Sequence, residues 1–190
     1  MDGPVSVLVL GHGAGGGVEA PDLVAATGAA LECGVSVALV EQPYLVAGKR
    51  SSPPAKRLDP AWVAVTEHLV ANELAGVPLV TGGRSAGARV ACRTAAATGS
   101  VAVLCLAFPL QPPPRKSGAE SPSRIDELEG VELPVLVVQG EGDRFGIPPE
   151  GGRRSVVLVH GDHGLRKAGD VVAAAVRDWL PGAVGAAARR

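Results

Sequence analysis

The amino-acid sequence is poor in aromatic side chains and carries no excess of charge of either sign. Aromatic residues make up only 3 % of the 190 positions, and the formal net charge is −1. A balanced charge gives the chain no overall attraction to nucleic acid or to acidic membranes, so neither is expected as a partner. The small number of aromatic rings also argues against a site that stacks planar ligands.

Cysteine is scarce as well. Cys33, Cys92 and Cys105 are widely spaced and include no CxxC pair, which argues against a disulfide framework and against a zinc site. Each lies in an apolar stretch, where a free cysteine behaves as a small buried hydrophobic residue. We therefore expect neither a metal site nor a structural disulfide.

Long hydrophobic runs are also missing. No stretch approaches the ~20 apolar residues that span a bilayer. The N-terminal segment MDGPVSVLVLGHG has no basic region, and its apolar run is too short for a signal peptide. These features predict a soluble, cytoplasmic protein.

The sequence does contain enough apolar material for one packed domain, since 46 % of its residues are hydrophobic. Short apolar runs alternate with helical segments along the chain. Because most runs are continuously apolar, we expect strands buried on both faces, in a mostly parallel sheet of about six strands. The predicted strands are Val5–Leu10, Val35–Val40, Pro78–Thr81, Val101–Ala107, Val135–Gln139 and Ser155–Val159.

The helical segments predict a doubly wound α/β fold, with helices on both faces of the sheet. They are Pro21–Glu32, Pro60–Ala75, Ala86–Thr98 and Lys167–Leu180. The last one is expected to end at Pro181–Gly182, which gives a single domain over residues 1–181 and a flexible tail over 182–190. Five prolines in Pro109–Ser123 predict an irregular surface segment. Too few residues separate the fourth and fifth predicted strands for a large lid.

Gly83, Ser85 and Gly87 form the pattern G-x-S-x-G, directly after a predicted strand and directly before a predicted helix. In that context the serine occupies a sharp turn, and the glycines let neighbouring backbone approach it. The following helix offers free backbone N–H groups, including that of Ala86, to a developing oxyanion. The pattern therefore predicts Ser85 as a nucleophile.

A serine nucleophile needs a base, and the base needs an acid that orients it. Asp143 follows the end of the fifth predicted strand, and His163 follows the end of the sixth. All three residues are thus expected at the carboxyl edge of the sheet, where ligands bind in open α/β folds. Glu141 is the alternative acid and His160 the alternative base, with Asp143 and His163 favoured.

The first predicted strand leads into the glycine-rich segment of residues 11–17, GHGAGGG. In a hydrolase, this loop of His12 and Gly13 supplies the second backbone donor to the oxyanion, from the N–H of Ala14 or Gly15. Glycines are needed there because the backbone itself faces the substrate.

The same segment also fits a different class of protein. Gly11, Gly13 and Gly16 match the dinucleotide-binding pattern G-x-G-x-x-G. That alternative requires a helix to begin within the loop, because the helix N-terminus holds the pyrophosphate. The first helix signal comes only at Pro21, which favours the hydrolase interpretation.

Five segments, in the order GHGAGGG, GGRSAGARVA, FPLQPPP, QGEGDRFG and GDHGLR, resemble the α/β-hydrolase superfamily, and within it the compact dienelactone-hydrolase-like branch. The resemblance spans nearly the whole chain. It implies the α/β-hydrolase fold, with Ser85, Asp143 and His163 as the triad and residues 12–15 as the oxyanion loop. Two positions depart from the family pattern, Ala86 in place of the usual Met and Arg144 where related sequences tend to have Pro.

The predicted activity is hydrolysis of a small ester, thioester or lactone, with a small-molecule substrate and no cofactor. Tyr44, after the second strand, and Arg84, beside the nucleophile, are candidate pocket residues. The sequence leaves the oligomeric state open. The main alternative is a non-catalytic binding or scaffold protein on the same fold, because the family also includes members that act as parts of complexes.

Overall fold

The computed structural model describes residues 4–114 and 117–187, and six strands within them form one sheet. The strands are β1 (Ser6–Gly11), β2 (Val35–Val40), β3 (Leu79–Arg84), β4 (Ala102–Leu106), β5 (Val135–Gly140) and β6 (Arg154–Val159). The helices are α1 (Pro21–Glu32), α2 (Pro43–Val46), α3 (Asp59–Asn72), α4 (Ala86–Thr94), α5 (Ile125–Glu129) and α6 (Gly169–Ala187), with a 3₁₀ turn at Ala55–Arg57. All neighbouring strands are parallel, so the predicted α/β fold is confirmed.

The central strands β1, β3, β4 and β5 are buried almost throughout, as their continuous apolar sequences predict. Alternate side chains of each strand face opposite layers of helices. Leu8 and Leu10 of β1 pack in one cluster with α1 and α6, whereas Val7 and Val9 pack with Trp62 of α3. The outer strands β2 and β6 are partly exposed because each has only one neighbour.

The sheet order β2-β1-β3-β4-β5-β6 places a crossing point between β1 and β3. β2 pairs with one edge of β1 and β3 pairs with the other, so the connections that follow β1 and β3 leave in opposite directions. Such a crevice at the carboxyl ends of the strands is where open α/β sheets bind ligands. The glycine-rich loop after β1 and the turn at Ser85 after β3 both lie there.

β3 extends three residues beyond the predicted end at Thr81, through Gly82 and Gly83 to Arg84. Glycine has a low strand propensity, which is why the sequence predicts an earlier end. In the sheet, however, Gly83 pairs with Gly11 of β1 and Cys105 of β4. A Cβ atom at Gly82 or Gly83 would collide with a backbone carbonyl oxygen of a neighbouring strand. The strand therefore continues through these glycines because only glycine allows the strands to pair so closely.

Helix α6 does not end at Pro181–Gly182, so that prediction is wrong. It continues to Ala187 with Pro181 inside it, although an interior proline typically costs a helix about 3 kcal/mol. The continuation is stabilised because Ala183 is buried and Val184 packs beside it against the main core cluster. Residues 182–187 are therefore helical, and residues 188–190 of the predicted tail lie outside the described residues.

The segment between β4 and β5 forms no large lid in its described residues, 107–114 and 117–134. The only helix in them is the short α5, and residues 109–114 and 117–123 are irregular, as the prolines predict. None of the helices in the described residues has the length and hydrophobicity of a membrane span.

Candidate active site

Ser85 lies in the one-residue turn between β3 and α4, with a backbone φ of 52° and ψ of −105°. A positive φ is uncommon for a residue with a side chain, and it persists only where the surroundings impose it. Here a Cβ atom at Gly83 or Gly87 would collide with the carbonyl group of Gly11, so only glycines allow the two strands and the helix to meet. The turn thus presents the Ser85 hydroxyl at the carboxyl edge of the sheet.

The structure brings Ser85, His163 and Asp143 together. The Nε2 atom of His163 lies 2.9 Å from Oγ of Ser85, and Nδ1 lies 2.8 Å from Oδ2 of Asp143. A carboxylate only accepts, so Nδ1 carries the proton and Nε2 is free to accept from the serine hydroxyl. This is the arrangement in which an imidazole removes a proton from a serine.

The carboxylate of Asp143 is fully buried and accepts three hydrogen bonds. Oδ1 accepts from the N–H of Phe145 at 2.9 Å, and Oδ2 accepts from Nε2 of Gln139 at 2.8 Å as well as from His163. These bonds fix the plane of the carboxylate and therefore the direction in which it holds the imidazole. Sequence reasoning missed Gln139, because in the sequence it is only a polar residue at the end of an apolar strand.

The alternative acid and base, Glu141 and His160, lie apart from Ser85. Both side chains are exposed, and they face each other with 3.6 Å between Nδ1 of His160 and Oε2 of Glu141. They form a surface pair of their own, while Asp143 contacts His163 and His163 contacts the serine. Of the two candidate pairs, Asp143 and His163 are therefore the pair that is hydrogen-bonded in line with Ser85.

The imidazole of His163 also contacts the ring of Phe145 edge to face, with 4.6 Å between ring centroids. The guanidinium of Arg144 lies 4.8 Å from the centroid of the same phenyl ring. This stack limits the rotation of the imidazole about its side-chain bonds. Arg144 is one of the two departures from the family pattern, and here it packs on Phe145.

His12 of the glycine-rich loop is fully buried and tied to backbone at both ring nitrogens. Nε2 accepts from the N–H of Gln42 at 2.9 Å, so Nδ1 carries the proton and donates to the carbonyl oxygen of Gly13 at 2.8 Å. The hydroxyl of Tyr44 lies 3.5 Å from the same carbonyl oxygen. Burial raises the pKa of Tyr44 above its ordinary value of 10, so its hydroxyl remains a donor.

Tyr44 therefore contacts the glycine-rich loop at the carbonyl group of Gly13. It lines a hollow whose walls do not include His163. Arg84, the other candidate pocket residue, does line the cleft beside His163, which has a volume of about 480 Å³. The remaining walls of this cleft come from the loops after β5 and β6. It is open to solvent, and its polar lining includes Arg144 and Arg166.

The loop does not have the geometry of a dinucleotide site. Gly11 is the last residue of β1, and α1 begins only at Pro21, so no helix starts within Gly11–Gly16 to face a pyrophosphate. Gly13 instead packs against Arg84 and Ser85. Across residues 4–114 and 117–187, no group of three or more His, Cys, Asp or Glu side chains is placed to bind a metal ion.

The comparisons with known proteins agree with the fold. A family model described as an alpha/beta hydrolase domain matches residues 4–169. No curated protein sequence shows a significant match.

Solved structures resemble the chain over most of its length. Est1E from Butyrivibrio proteoclasticus with bound ferulic acid is 17 % identical, with 96 % of this chain and 90 % of that one covered and a TM-score of 0.76. Dienelactone hydrolase from Anabaena variabilis is 16 % identical over 95 % and 88 % of the two chains, with a TM-score of 0.71. A serine hydrolase without a lid from Xanthomonas campestris is 21 % identical over 95 % and 85 %, with a TM-score of 0.66. At these identities, the likeness establishes the fold alone.

Proposed function

Because the chain belongs to the α/β-hydrolase family, we propose that it is a serine hydrolase that cleaves a small ester, thioester or lactone through an acyl-enzyme on Ser85. The observation that carries the proposal is the continuous hydrogen-bonded line from Ser85 through His163 to Asp143, with 2.9 Å and 2.8 Å between the bonded atoms. Such a line is what converts a weakly nucleophilic hydroxyl into an attacking group.

In the first half of the proposed reaction, Oγ of Ser85 attacks the substrate carbonyl carbon while its proton passes to Nε2 of His163. The Asp143 carboxylate holds Nδ1–H and stabilises the imidazolium that forms. The tetrahedral intermediate then collapses, and Nε2 returns the proton to the departing oxygen or sulfur. This leaves the acyl group on Ser85.

In the second half, a water molecule attacks the acyl-enzyme and gives its proton to Nε2 of His163. Collapse of the second tetrahedral intermediate releases the carboxylic acid and returns the proton to Oγ of Ser85. Both steps are proton transfers and acyl transfers, so they require no cofactor in this scheme.

Two backbone N–H groups are proposed to hold the oxyanion. That of Ala86 is the first of α4 and has no acceptor within the helix. Of the two candidates on the glycine-rich loop, we favour Ala14 over Gly15. The carbonyl group of Gly13 is held by His12 and faces Tyr44, and in a trans peptide the N–H of the next residue points the opposite way.

The proposed substrate is small or carries its ester at an exposed position. His163 is only partly buried and borders an open cleft, and the described residues between β4 and β5 contribute no helical lid over it. A site of this kind offers no closed apolar channel for a long acyl chain. The substrate is thus proposed to be a small molecule that approaches from solvent.

Labelling with a fluorophosphonate, which reacts with activated serines, tests the proposal. We expect the wild-type protein to be labelled and both Ser85→Ala and His163→Ala to lose labelling, whereas the matched surface variants Ser155→Ala and His160→Ala keep it. Circular dichroism melting curves show that each variant folds. A folded wild-type protein that is not labelled contradicts the proposal and favours the non-catalytic binding protein.

A further inference from the structure

Arg84, the residue before the proposed nucleophile, contacts three separate parts of the site at once. Its Nε lies 2.9 Å from Oδ2 of Asp22, and its Nη2 donates to the carbonyl oxygen of His163 at 2.9 Å. Its Nη1 occupies the space beside Gly13, only 2.8 Å from where a Cβ atom at that position would lie. A single planar guanidinium therefore joins the start of α1, the glycine-rich loop and the loop that carries His163.

Asp22 is the fixed end of this arrangement. It lies in the first turn of α1 with no exposed surface, and its Oδ1 also accepts from the N–H of Leu23 at 3.0 Å. Burial raises the pKa of Asp22, an effect that the nearby charge of Arg84 opposes. A carboxylate at so buried a position requires a charged partner, and the proposed reaction has no other use for it. Asp22 thus holds Arg84 in one orientation.

The backbone of His163 is held differently from the backbone of its neighbours in the same loop. Gly142 bonds the carbonyl of Gly161, and Leu165 and Gly164 bond Asp162. Among the described residues, the one hydrogen bond to the backbone of His163 is the one from Arg84. The position of the imidazole relative to Ser85 therefore depends on Arg84 as well as on Asp143.

We propose that Arg84 is a positioning residue that sets His163 against Ser85, and that the buried carboxylate of Asp22 anchors it. This role rests on the proposed hydrolase function, which it refines. It depends on the shape of the guanidinium and not only on its charge, because one nitrogen forms an ion pair with the Asp22 carboxylate while a second donates a hydrogen bond to the carbonyl oxygen of His163. A lysine has a single nitrogen and cannot reproduce this geometry.

The test compares Arg84→Lys with two variants that separate anchoring from folding. Asp22→Asn keeps Arg84 and removes its charged anchor. An Arg84 variant alone leaves the buried Asp22 carboxylate without its charged partner and so can fail to fold. The double variant Asp22→Asn/Arg84→Gln removes both charges together and avoids this. Arg177→Lys is the matched control, because Arg177 forms an exposed pair with Glu32, 2.8 Å apart, on the face of α6 next to α1.

Two readouts are needed, and one of them does not depend on activity. The tautomer of His163 is read from the ¹⁵N chemical shifts of its ring, assigned as the signals that vanish in His163→Gln. The second readout is the rate constant of fluorophosphonate labelling. We expect the wild type and Arg177→Lys to hold the Nδ1–H tautomer, and Arg84→Lys and the double variant to show a mixture of tautomers and to label roughly 10- to 100-fold more slowly. Asp22→Asn is expected to lie between them.

The outcomes separate this inference from the proposed function. Unchanged ring shifts and labelling rates in Arg84→Lys and the double variant overturn the positioning role while leaving the hydrolase function intact. A wild type that is not labelled but whose His163 tautomer is lost in these variants supports the positioning role and refutes the hydrolase function. Equal slowing in Arg177→Lys also overturns the positioning role, because the effect is then not specific to this contact.

Discussion

Gln139 donates a hydrogen bond from its side-chain amide to Oδ2 of Asp143 at 2.8 Å, the same oxygen that accepts from His163. The amide is buried within β5, and its nitrogen also lies within 3.1 Å of the carbonyl oxygen of Phe108 and 2.9 Å of that of Gly146. Gln139 therefore ties the acid to the end of β4 and to its own loop. Gln139 takes no part in the proposed reaction itself and contacts the triad through Asp143.

The first prediction concerns this amide. Gln139→Leu keeps the approximate volume but removes the donor, and it leaves two carbonyl groups and the carboxylate with one partner fewer. Because a hydrogen bond to a charged group contributes about 1.5–3 kcal/mol, we expect labelling of Ser85 to slow by roughly 10- to 100-fold. Fluorophosphonate labelling kinetics check this, with Gln111→Leu as the control, since Gln111 is an exposed glutamine whose side-chain amide bonds the backbone of Ser121. Equal rates for the two variants contradict the role of Gln139.

The second prediction distinguishes the two candidate acids. Asp143→Asn presents an amide that no longer stabilises an imidazolium and that favours the wrong imidazole tautomer. We expect kcat for a small ester to fall by about 10⁴-fold, the size of the loss in kcat when the aspartate of a serine protease triad is replaced in the same way. Glu141→Gln is the matched variant, because it makes the same change of chemistry on the exposed pair with His160.

Equal and large losses for both variants show that the surface pair also contributes to the site. A loss in Glu141→Gln alone shows that the acid is misassigned. Thermal melting curves of both variants establish that the comparison is made between folded proteins.

The residues nearest to the serine are predictable from the sequence because each carries a local signal. Ser85 lies between two glycines at a strand-to-helix junction, and the strands before Asp143 and His163 are recognisable as apolar runs. Parallel strands bring their carboxyl ends to the same edge of a sheet, so the order along the chain predicts a common location. Val35–Val40 and Pro21–Glu32 also have the predicted bounds, because glycine and proline mark their ends clearly.

The supporting contacts have no such signal. Asp22 and Arg84 belong to a helix and a strand that are distant in the sequence, and their pairing depends on how α1 packs against the sheet. Asp59 illustrates the same limit. Its place before Pro60 is typical of a helix cap, yet Asp59 is the first residue of α3, and its carboxylate accepts two bonds from Arg93 of α4, at 2.6 and 2.9 Å.

The third prediction concerns acid stability and the helix that follows Ser85. Glu127 of α5 bonds Arg89 of α4 through both carboxylate oxygens, at 2.6 and 2.8 Å, and lies 3.1 Å from Arg93. Burial alone raises the pKa of Glu127, but the hydrogen bonds and charges of the two arginines outweigh it and lower the pKa below its ordinary value of 4.5. The carboxylate is therefore more favourable in the folded protein than in the unfolded chain.

A lowered folded-state pKa stabilises the protein above the unfolded-state pKa, and that stability is lost as the pH falls through the folded-state value. We expect Glu127→Gln to reduce the free energy of unfolding by about 1–3 kcal/mol at pH 7, and the difference from the wild type to shrink as the pH falls below 4.5 and through the lower folded-state pKa. Urea unfolding at several pH values measures this. Glu129→Gln, an exposed position on the same helix, should show no such convergence; a constant difference between Glu127→Gln and the wild type at all pH values contradicts the argument.

The last prediction concerns the size of the acyl group. The cleft beside His163 is open, and the charged residues Arg84, Arg144 and Arg166 line it, so we expect an added methylene of the acyl chain to remain in water. A methylene that becomes buried on binding contributes about 0.8 kcal/mol, which corresponds to about a fourfold rise in kcat/KM for each carbon atom. We expect no such rise for the p-nitrophenyl esters from acetate through butyrate to octanoate, and a fall at octanoate. Rates for Ser85→Ala are subtracted as the uncatalysed background, and a steady increase with chain length would mean that a closed apolar channel forms when substrate binds.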